Sequence, residues 1–283
     1  MTPDARPPDV RAAIVEAARR GAEERQAAGG GRNLERAAAA REPRGELFRA
    51  RLRRETGCNV IAECKRRSPS RGILRASYAP ARLAEGYAAA GAAAISVLTE
   101  PAFFDGALEH LAAVRAAVDV PALRKDFVVT PFQVIEARAH GADAVLLIAA
   151  ALPGPTLGAL LAASREAGLA ALVEVHDGDE LARALDAGAD ILGVNNRDLR
   201  TMRVDLGTSH ALVGAIPDDV TAVAESGLRT ADDLEALRRA GYDAFLIGES
   251  FMTRDDPGAA LASLLHGLDA IPRGTRRGGG RAA

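Results

Sequence analysis

The chain has 283 residues, 48 % hydrophobic and 26 % charged, with a formal net charge of −2. That suits a single α/β barrel of about 250 residues with a core of ordinary size. A chain this evenly charged, with no basic stripe in its folded part, is no nucleic-acid binder, and its longest apolar run, Ala144 to Leu152, is far short of the roughly 20 residues that cross a bilayer.

The N-terminus has no apolar h-region and so no visible secretion signal. Cys58 and Cys64 stand too close to staple anything and form no CxxC or Cys/His metal spacing. A reduced, cytoplasmic setting is expected. Val10 to Arg25 has a helical pattern, which "AAGGGRN" is expected to break at Gly29, Gly30 and Gly31. A second helix is expected from Gly45 to Glu55, so residues 1–56 form an N-terminal helical extension.

From Asn59 the texture changes. Short apolar runs alternate with helical segments: 59–63, 93–99, 120–125, 143–149, 170–175, 190–195, 220–225 and 243–248. Each run is continuous rather than alternating, as in parallel strands buried on both faces. The intervening helices have readable ends. One starts at Thr130 and Pro131 and stops at Gly141; another starts at Thr230, with acids in its first turn, and stops at Gly241. A phrase recurs where helix meets strand: "AGAAAISV", "HGADAVLLI", "AGADILGV", "AGYDAFLIG", with glycines 91, 141, 188 and 241. Gly ends a helix with positive φ and the strand follows at once. Eight β-then-α units predict an α/β fold, an eight-stranded parallel (β/α)8 TIM barrel over 57–270. An open doubly wound sheet would carry GxGxxG after its first strand, and none is present. Residues 271–283, rich in Arg and Gly, are expected to be a flexible, solvated tail.

Barrel active sites form at the C-terminal ends of the strands. Those positions hold Glu63, Cys64 and Lys65; Thr99 and Glu100; Lys125 and Asp126; Glu174; Asn195 and Asn196; Glu225, Ser226 and Gly227; Gly248, Glu249 and Ser250. Of the 36 basic residues only Lys65 and Lys125 are lysines, and both fall at strand ends. Arg makes the better fixed ion pair, whereas Lys is compact and its pKa falls readily on burial, so it suits a general acid or a Schiff-base nucleophile. Strand period aims Glu63 and Lys65 into the mouth and Cys64 away from it, where packing suits it better than nucleophilic work. Glu63, Glu174 and Glu225 surround the same mouth. "ESG" after strand seven and "GES" after strand eight place free backbone N–H groups where barrels hold phosphate, with Ser68, Ser70 and Gly72 as a third side. The histidines, 110, 140, 176, 210 and 266, are scattered, so no metal is expected, and His176 is assigned to a helix start or the surface.

These stretches resemble the indole-3-glycerol-phosphate synthase family: "AECKRRSPSRG", "SVLTEPAFFDG", "LRKDFVVTPFQVIEARAHGADAVLLI", "LVEVH", "GVNNRDL", "VAESG" and "FLIGESFM", in order through nearly the whole barrel. The resemblance implies closure of 1-(2-carboxyphenylamino)-1-deoxyribulose 5-phosphate to indole-3-glycerol phosphate with loss of CO2 and water, in tryptophan biosynthesis, with no cofactor. It implies Lys125 as the acid at the ketone, Glu174 as the later acid/base, and Lys65 with Glu63 at the substrate carboxylate. Asn195 and Glu225 orient and balance charge. Ser68, Ser226, Gly227, Gly248 and Glu249 cradle the phosphate side, with Arg197 and Ser250 also binding substrate. Phe104, Phe127 and Leu146 wall the aromatic ring. Arg71 stands where family members often have Lys. The implied partner is a small phosphorylated molecule, with no nucleic acid or membrane; a monomer is expected, and an oligomer stays open. Three other readings compete. Phosphoribosylanthranilate isomerisation would want an inward Cys or Asp base, but Cys64 points outward and strand six ends in Asn195. A Schiff-base aldolase would form a borohydride-trappable adduct. A non-catalytic scaffold barrel would have lost Lys125, Glu174 or Asn195, and all are present.

Overall fold

The computed structural model describes residues 10–55, 57–198, 201–268 and 271–276. Eight parallel strands close into a barrel: β1 (Asn59–Cys64), β2 (Ala94–Leu98), β3 (Ala122–Lys125), β4 (Ala144–Ile148), β5 (Ala170–Val175), β6 (Ile191–Asn195), β7 (Thr221–Glu225) and β8 (Ala244–Ile247). Each pairs with its sequence neighbours, and β8 closes on β1 with Asn59 opposite Ala244. The expected runs match these strands to within two residues. Apart from Lys125 at the end of β3, every strand residue is buried.

The recurring helix-to-strand phrase has a physical job. Gly91, Gly141, Gly188 and Gly241 all have positive φ, 90°, 92°, 83° and 116°, a conformation that reverses the chain out of a helix at little cost only for glycine. In two of the four phrases the Asp that follows ties down the neighbouring strand. Asp143 accepts from the Ala122 N–H at 2.9 Å and Asp243 from the Ala222 N–H at 2.8 Å. The helices start on capping boxes at Thr130/Gln133 and Thr230/Asp233.

The extension wraps the barrel from top to bottom. Helix α1 (Val10–Arg25) crosses the upper rim, with Ile14 packed among core residues that include Phe127 and Ile148. Helix α2 (Gly31–Ala39) runs along helix Pro131–Ala139. Helix α3 (Gly45–Leu52) seals the bottom. There Phe48 and Leu52 are fully buried in the same core as Ala94, Ala144, Ala170 and Ala244. Those alanines open their strands, and their small size leaves room for the plug. Gly45 lies so close to the sheet that a Cβ would stand 2.6 Å from the Ala170 nitrogen.

Two expectations are corrected. Gly29–Gly31 do not break the helix: a π-turn over Gln26–Gly30 carries α1 into α2, and Gly31 is helical at φ −54°, ψ −62°. Glycine costs a helix only about 1 kcal/mol per residue. Here Arg25 is held by two bonds to Glu136, at 2.6 and 3.0 Å, while α2 packs on the same helix. Nor is the tail wholly solvated over 271–276, where Ile271 and Arg276 are buried although Pro272 and Thr275 are exposed. The Arg276 guanidinium donates to Pro217 and Val220 carbonyls at 2.7 Å, to Gly241 O at 2.9 Å, and to Asp243. Composition reads Arg as surface, but its planar fork matches several buried acceptors at once. Residues 277–283 lie outside the described residues.

Phe48→Ala is expected to lower unfolding stability by about 3–5 kcal/mol, the cost of a large side chain lost from a packed core. Denaturant unfolding measures it, and a loss below about 1 kcal/mol would show that α3 does not plug the barrel.

Candidate active site

A cavity of about 430 Å³ opens at the C-terminal ends of the strands. The site residues that the resemblance implies all line it: Glu63, Lys65, Lys125, Glu174, Asn195, Glu225 and Ser226 at its centre, Ser68, Arg197, Gly227, Gly248, Glu249 and Ser250 on one side, and Phe104, Phe127 and Leu146 on the other, whereas Gly72, Thr99 and Asn196, also named from the sequence, lie outside the lining. Cys64 points away, into the layer between sheet and helices that also holds Tyr87, and its thiol titrates far above its ordinary range because it is buried.

The centre is a set of paired charges. Lys125 Nζ lies 2.5 Å from Glu225 and 3.3 Å from Glu174. Lys65 Nζ lies 2.5 Å from Glu63. Glu63, Glu174 and Glu225 are each no more than 3 % exposed, so none could stay charged without a partner. Two glycines make room for them. A Cβ on Gly193 of β6 would stand 2.1 Å from Glu225 Oε1, and one on Gly248 would stand 2.3 Å from Glu63 Oε1.

These contacts set the protonation states. Burial opposes charge on Lys125, but Glu225, Glu174 and Glu63 outweigh it and hold the ammonium well above its ordinary pKa. The sequence-based idea of a lysine lowered by burial is therefore corrected: three converging carboxylates dominate. Burial drives Glu225 up to about 7, and Glu174 pushes the same way against Lys125. Glu174, despite burial, is lowered by Lys125, His176 and a hydrogen bond from Asn195.

The opposite side carries a different chemistry. Ser226 and Gly227 have successive positive φ values of 66° and 83°. For a non-glycine residue that is uncommon and costs strain of about 1–3 kcal/mol. Gly248 precedes a short helix, Glu249–Met252. Glu249 sits between Arg71 at 2.9 Å and Arg197 at 3.2 Å, which leaves a net positive charge beside those backbone N–H groups. Arg71 comes from a hairpin after β1, Arg67–Ser68 against Gly72–Ile73, further tied by Arg66 to Asp105 at 2.9 Å.

The apolar wall is held from below. Glu100 caps helix Pro101–Phe104 by accepting from the backbone N–H groups of Ala102, Phe103 and Phe104 at 2.9, 2.7 and 3.2 Å, which fixes the Phe104 backbone. Several site residues escaped the sequence reading. Gly193 carried a signal, an isolated glycine inside a strand. Arg11 and Ile14 of α1 also line the cavity, but no positional rule points from an appended helix into a barrel mouth. His176, assigned to a helix start or the surface, does precede helix Gly178–Asp186, and it also stands 3.5 Å from Glu174. Among the described residues no group of three or more His, Cys, Asp or Glu side chains could hold a metal, and no helix is long and apolar enough to cross a membrane.

Comparison with known proteins follows the same line. The solved structures that superpose on the chain share its fold: KGPDC from Streptococcus mutans has 16 % identity and a TM-score of 0.58, over 76 % of this chain and 99 % of that one. A 3-hexulose-6-phosphate synthase from Salmonella typhimurium has 15 % identity and a TM-score of 0.59, over 73 % and 98 %. Curated relatives are much closer in sequence. An indole-3-glycerol phosphate synthase of Beutenbergia cavernae is 55 % identical over 214 residues, 76 % of this chain and 79 % of its own. One of Koribacter versatilis is 47 % identical over 255 residues, 89 % of this chain and 97 % of its own. The family model described as indole-3-glycerol phosphate synthase matches residues 12–264, nearly the whole described barrel and most of its extension, and the chain belongs to that family.

Proposed function

We propose that the chain closes 1-(2-carboxyphenylamino)-1-deoxyribulose 5-phosphate to indole-3-glycerol phosphate, a carbon–carbon lyase step of tryptophan biosynthesis in the cytoplasm. One observation carries this reading: two ammonium groups and three buried carboxylates converge between an apolar wall and a net positive rim. That is the arrangement the substrate asks for. Its aromatic ring takes the wall of Phe104, Phe127 and Leu146. Its phosphate takes the backbone N–H groups at Ser226, Gly227, Gly248, Glu249 and Ser250, with Ser68, Arg71 and Arg197 adding donors.

The chemistry follows from the charges. The ring carbon bearing the carboxylate attacks the ketone carbon, and the Lys125 ammonium gives its proton to the ketone oxygen. Glu225, close to half-protonated near neutral pH, stands 2.5 Å away to resupply that proton. Lys65, fixed by Glu63, holds the carboxylate until it leaves as CO2 and the ring regains aromaticity. The new hydroxyl then leaves as water with a proton from Glu174. Glu174 finally takes the neighbouring C–H proton, while Asn195 keeps it oriented. An amine held as ammonium is no nucleophile, which disfavours the Schiff-base alternative.

Purified protein given the ribulose phosphate should develop indole fluorescence; folded protein without it would defeat the reading. Lys125→Arg should lose turnover by at least about 10²-fold while substrate still binds, because Arg keeps the charge but not the transferable proton. Turnover within tenfold of the parent would remove Lys125 as the acid. Gly193→Ala pushes against the free end of the Glu225 side chain rather than against backbone. It should still fold, with thermal stability lowered because Glu225 is pushed from its place beside Lys125, and lose kcat by about 10²-fold, since misplacement of about 1 Å costs that much. An unchanged kcat would show that the Glu225–Lys125 contact is not needed.

A further inference from the structure

Behind Glu174, outside the cavity lining, stands a second carboxylate and an imidazole. His176 follows Glu174 by two residues and so faces the same way. Its Nε2 lies 3.5 Å from Glu174 Oε1, is buried, and has no hydrogen-bond partner. Its Nδ1 lies 3.0 Å from Glu180 Oε2, which also accepts from the His176 backbone N–H at 2.8 Å. Glu180 sits in the first turn of helix Gly178–Asp186, and its own N–H donates to the capping Asp177 at 2.8 Å.

Building on the function proposed above, we propose that His176 is a positioning residue that holds the working proton of Glu174, with Glu180 fixing which ring nitrogen exchanges it. An ionised carboxylate only accepts, so Glu180 keeps a proton on Nδ1 in every state. Nε2 is then left to face Glu174, and two carboxylate and imidazole lone pairs cannot face each other. The pair therefore holds one proton: either imidazolium beside carboxylate, or neutral imidazole beside carboxylic acid. In dehydration the proton passes from Nε2 to Oε1 and on to the departing hydroxyl, the C–O bond breaks, and water leaves. Glu174, again a carboxylate, then takes the C–H proton, whose electron pair forms the ring double bond, and returns it to Nε2. One proton leaves and one returns, so the pair ends as it began.

The surroundings favour the charged ring. Burial opposes the imidazolium, but the Glu180 hydrogen bond and the charges of Glu174, Glu180 and Glu225 outweigh it, so His176 keeps its proton to higher pH than ordinary histidine. Lys125, beyond Glu174, is the cation facing the pair from β3. The sign follows. The alkaline limb of kcat is loss of the shared proton. Without His176, Glu174 is a lone carboxylate lowered by Lys125 and gives up its proton at much lower pH.

The test is the pH dependence of kcat and KM for the parent, His176→Gln and Glu180→Gln. His176→Gln keeps a donor to Glu180 but cannot titrate. It should lower kcat at pH 7.5 by about tenfold or more, move the alkaline limb down by more than about one pH unit, and change KM little. Glu180→Gln keeps the acceptor and loses the charge, so it should shift the same limb down by about half a unit or more. If His176→Gln does not fold, Glu180→Gln alone decides. Folded variants with the parent's kcat and limbs, or with changed KM alone, overturn the inference. A parent without turnover would instead sink the proposed function, so the two failures are told apart.

Discussion

Everything at the barrel mouth depends on charge neutralisation in a place that water hardly reaches. A closed parallel barrel gathers its strand ends into a ring, and this chain puts Glu63, Glu174 and Glu225 into it, each almost completely buried. A lone buried carboxylate takes up a proton or destabilises the fold by several kcal/mol. Lys125 and Lys65 prevent that, and their positions fix the rest. Lys125 must reach both Glu174 and Glu225, so β6 carries Gly193 where any side chain would strike Glu225. Glu63 must reach Lys65, so Gly248 directly follows β8. The glycines of this site belong to the electrostatics as much as to the backbone.

That dependence extends into the supporting layer. Arg124, next to Lys125 but facing outward, is 1 % exposed and bonds Asp126, Thr99 and the Gln133 carbonyl. It also meets Glu136 at 3.0 Å, the residue that Arg25 of α1 grips from the other side. The appended helix is thus bonded to the network that flanks Lys125, while its Ile14 lines the cavity. The extension is part of the site as well as of the scaffold.

The barrel and its ring of candidate residues were legible because both follow from periodic rules. A strand buried on both faces reads as an apolar run, a helix end reads as Gly before the next run, and function collects where each run stops. What escaped reading depended on partners distant in sequence. Gly29–Gly31 read as a break because propensity does not know that Glu136 holds Arg25. Arg276 read as tail because composition does not know that carbonyls at Pro217, Val220 and Gly241 converge beneath the barrel. His176 read as a helix start, and it does precede one; what sequence hid was the 3.5 Å that separates it from Glu174.

The scarcity of lysine now has a physical reason. Where a buried cation has to bridge several acceptors, as Arg124 and Arg276 do, the guanidinium fork is suited to that. Between Glu174 and Glu225 the requirement is different. The space is so tight that β6 leaves out a Cβ, and in the proposed reaction the cation there parts with a proton. A guanidinium is too broad for the first condition, and its delocalised, planar charge makes it the poorer point donor for the second. An ammonium satisfies both. The ring of carboxylates raises its pKa, and the same carboxylates, with Glu225 near 7, stand ready to return the proton it gives up. In the proposed reaction, the charge that stabilises the mouth and the acid are one group.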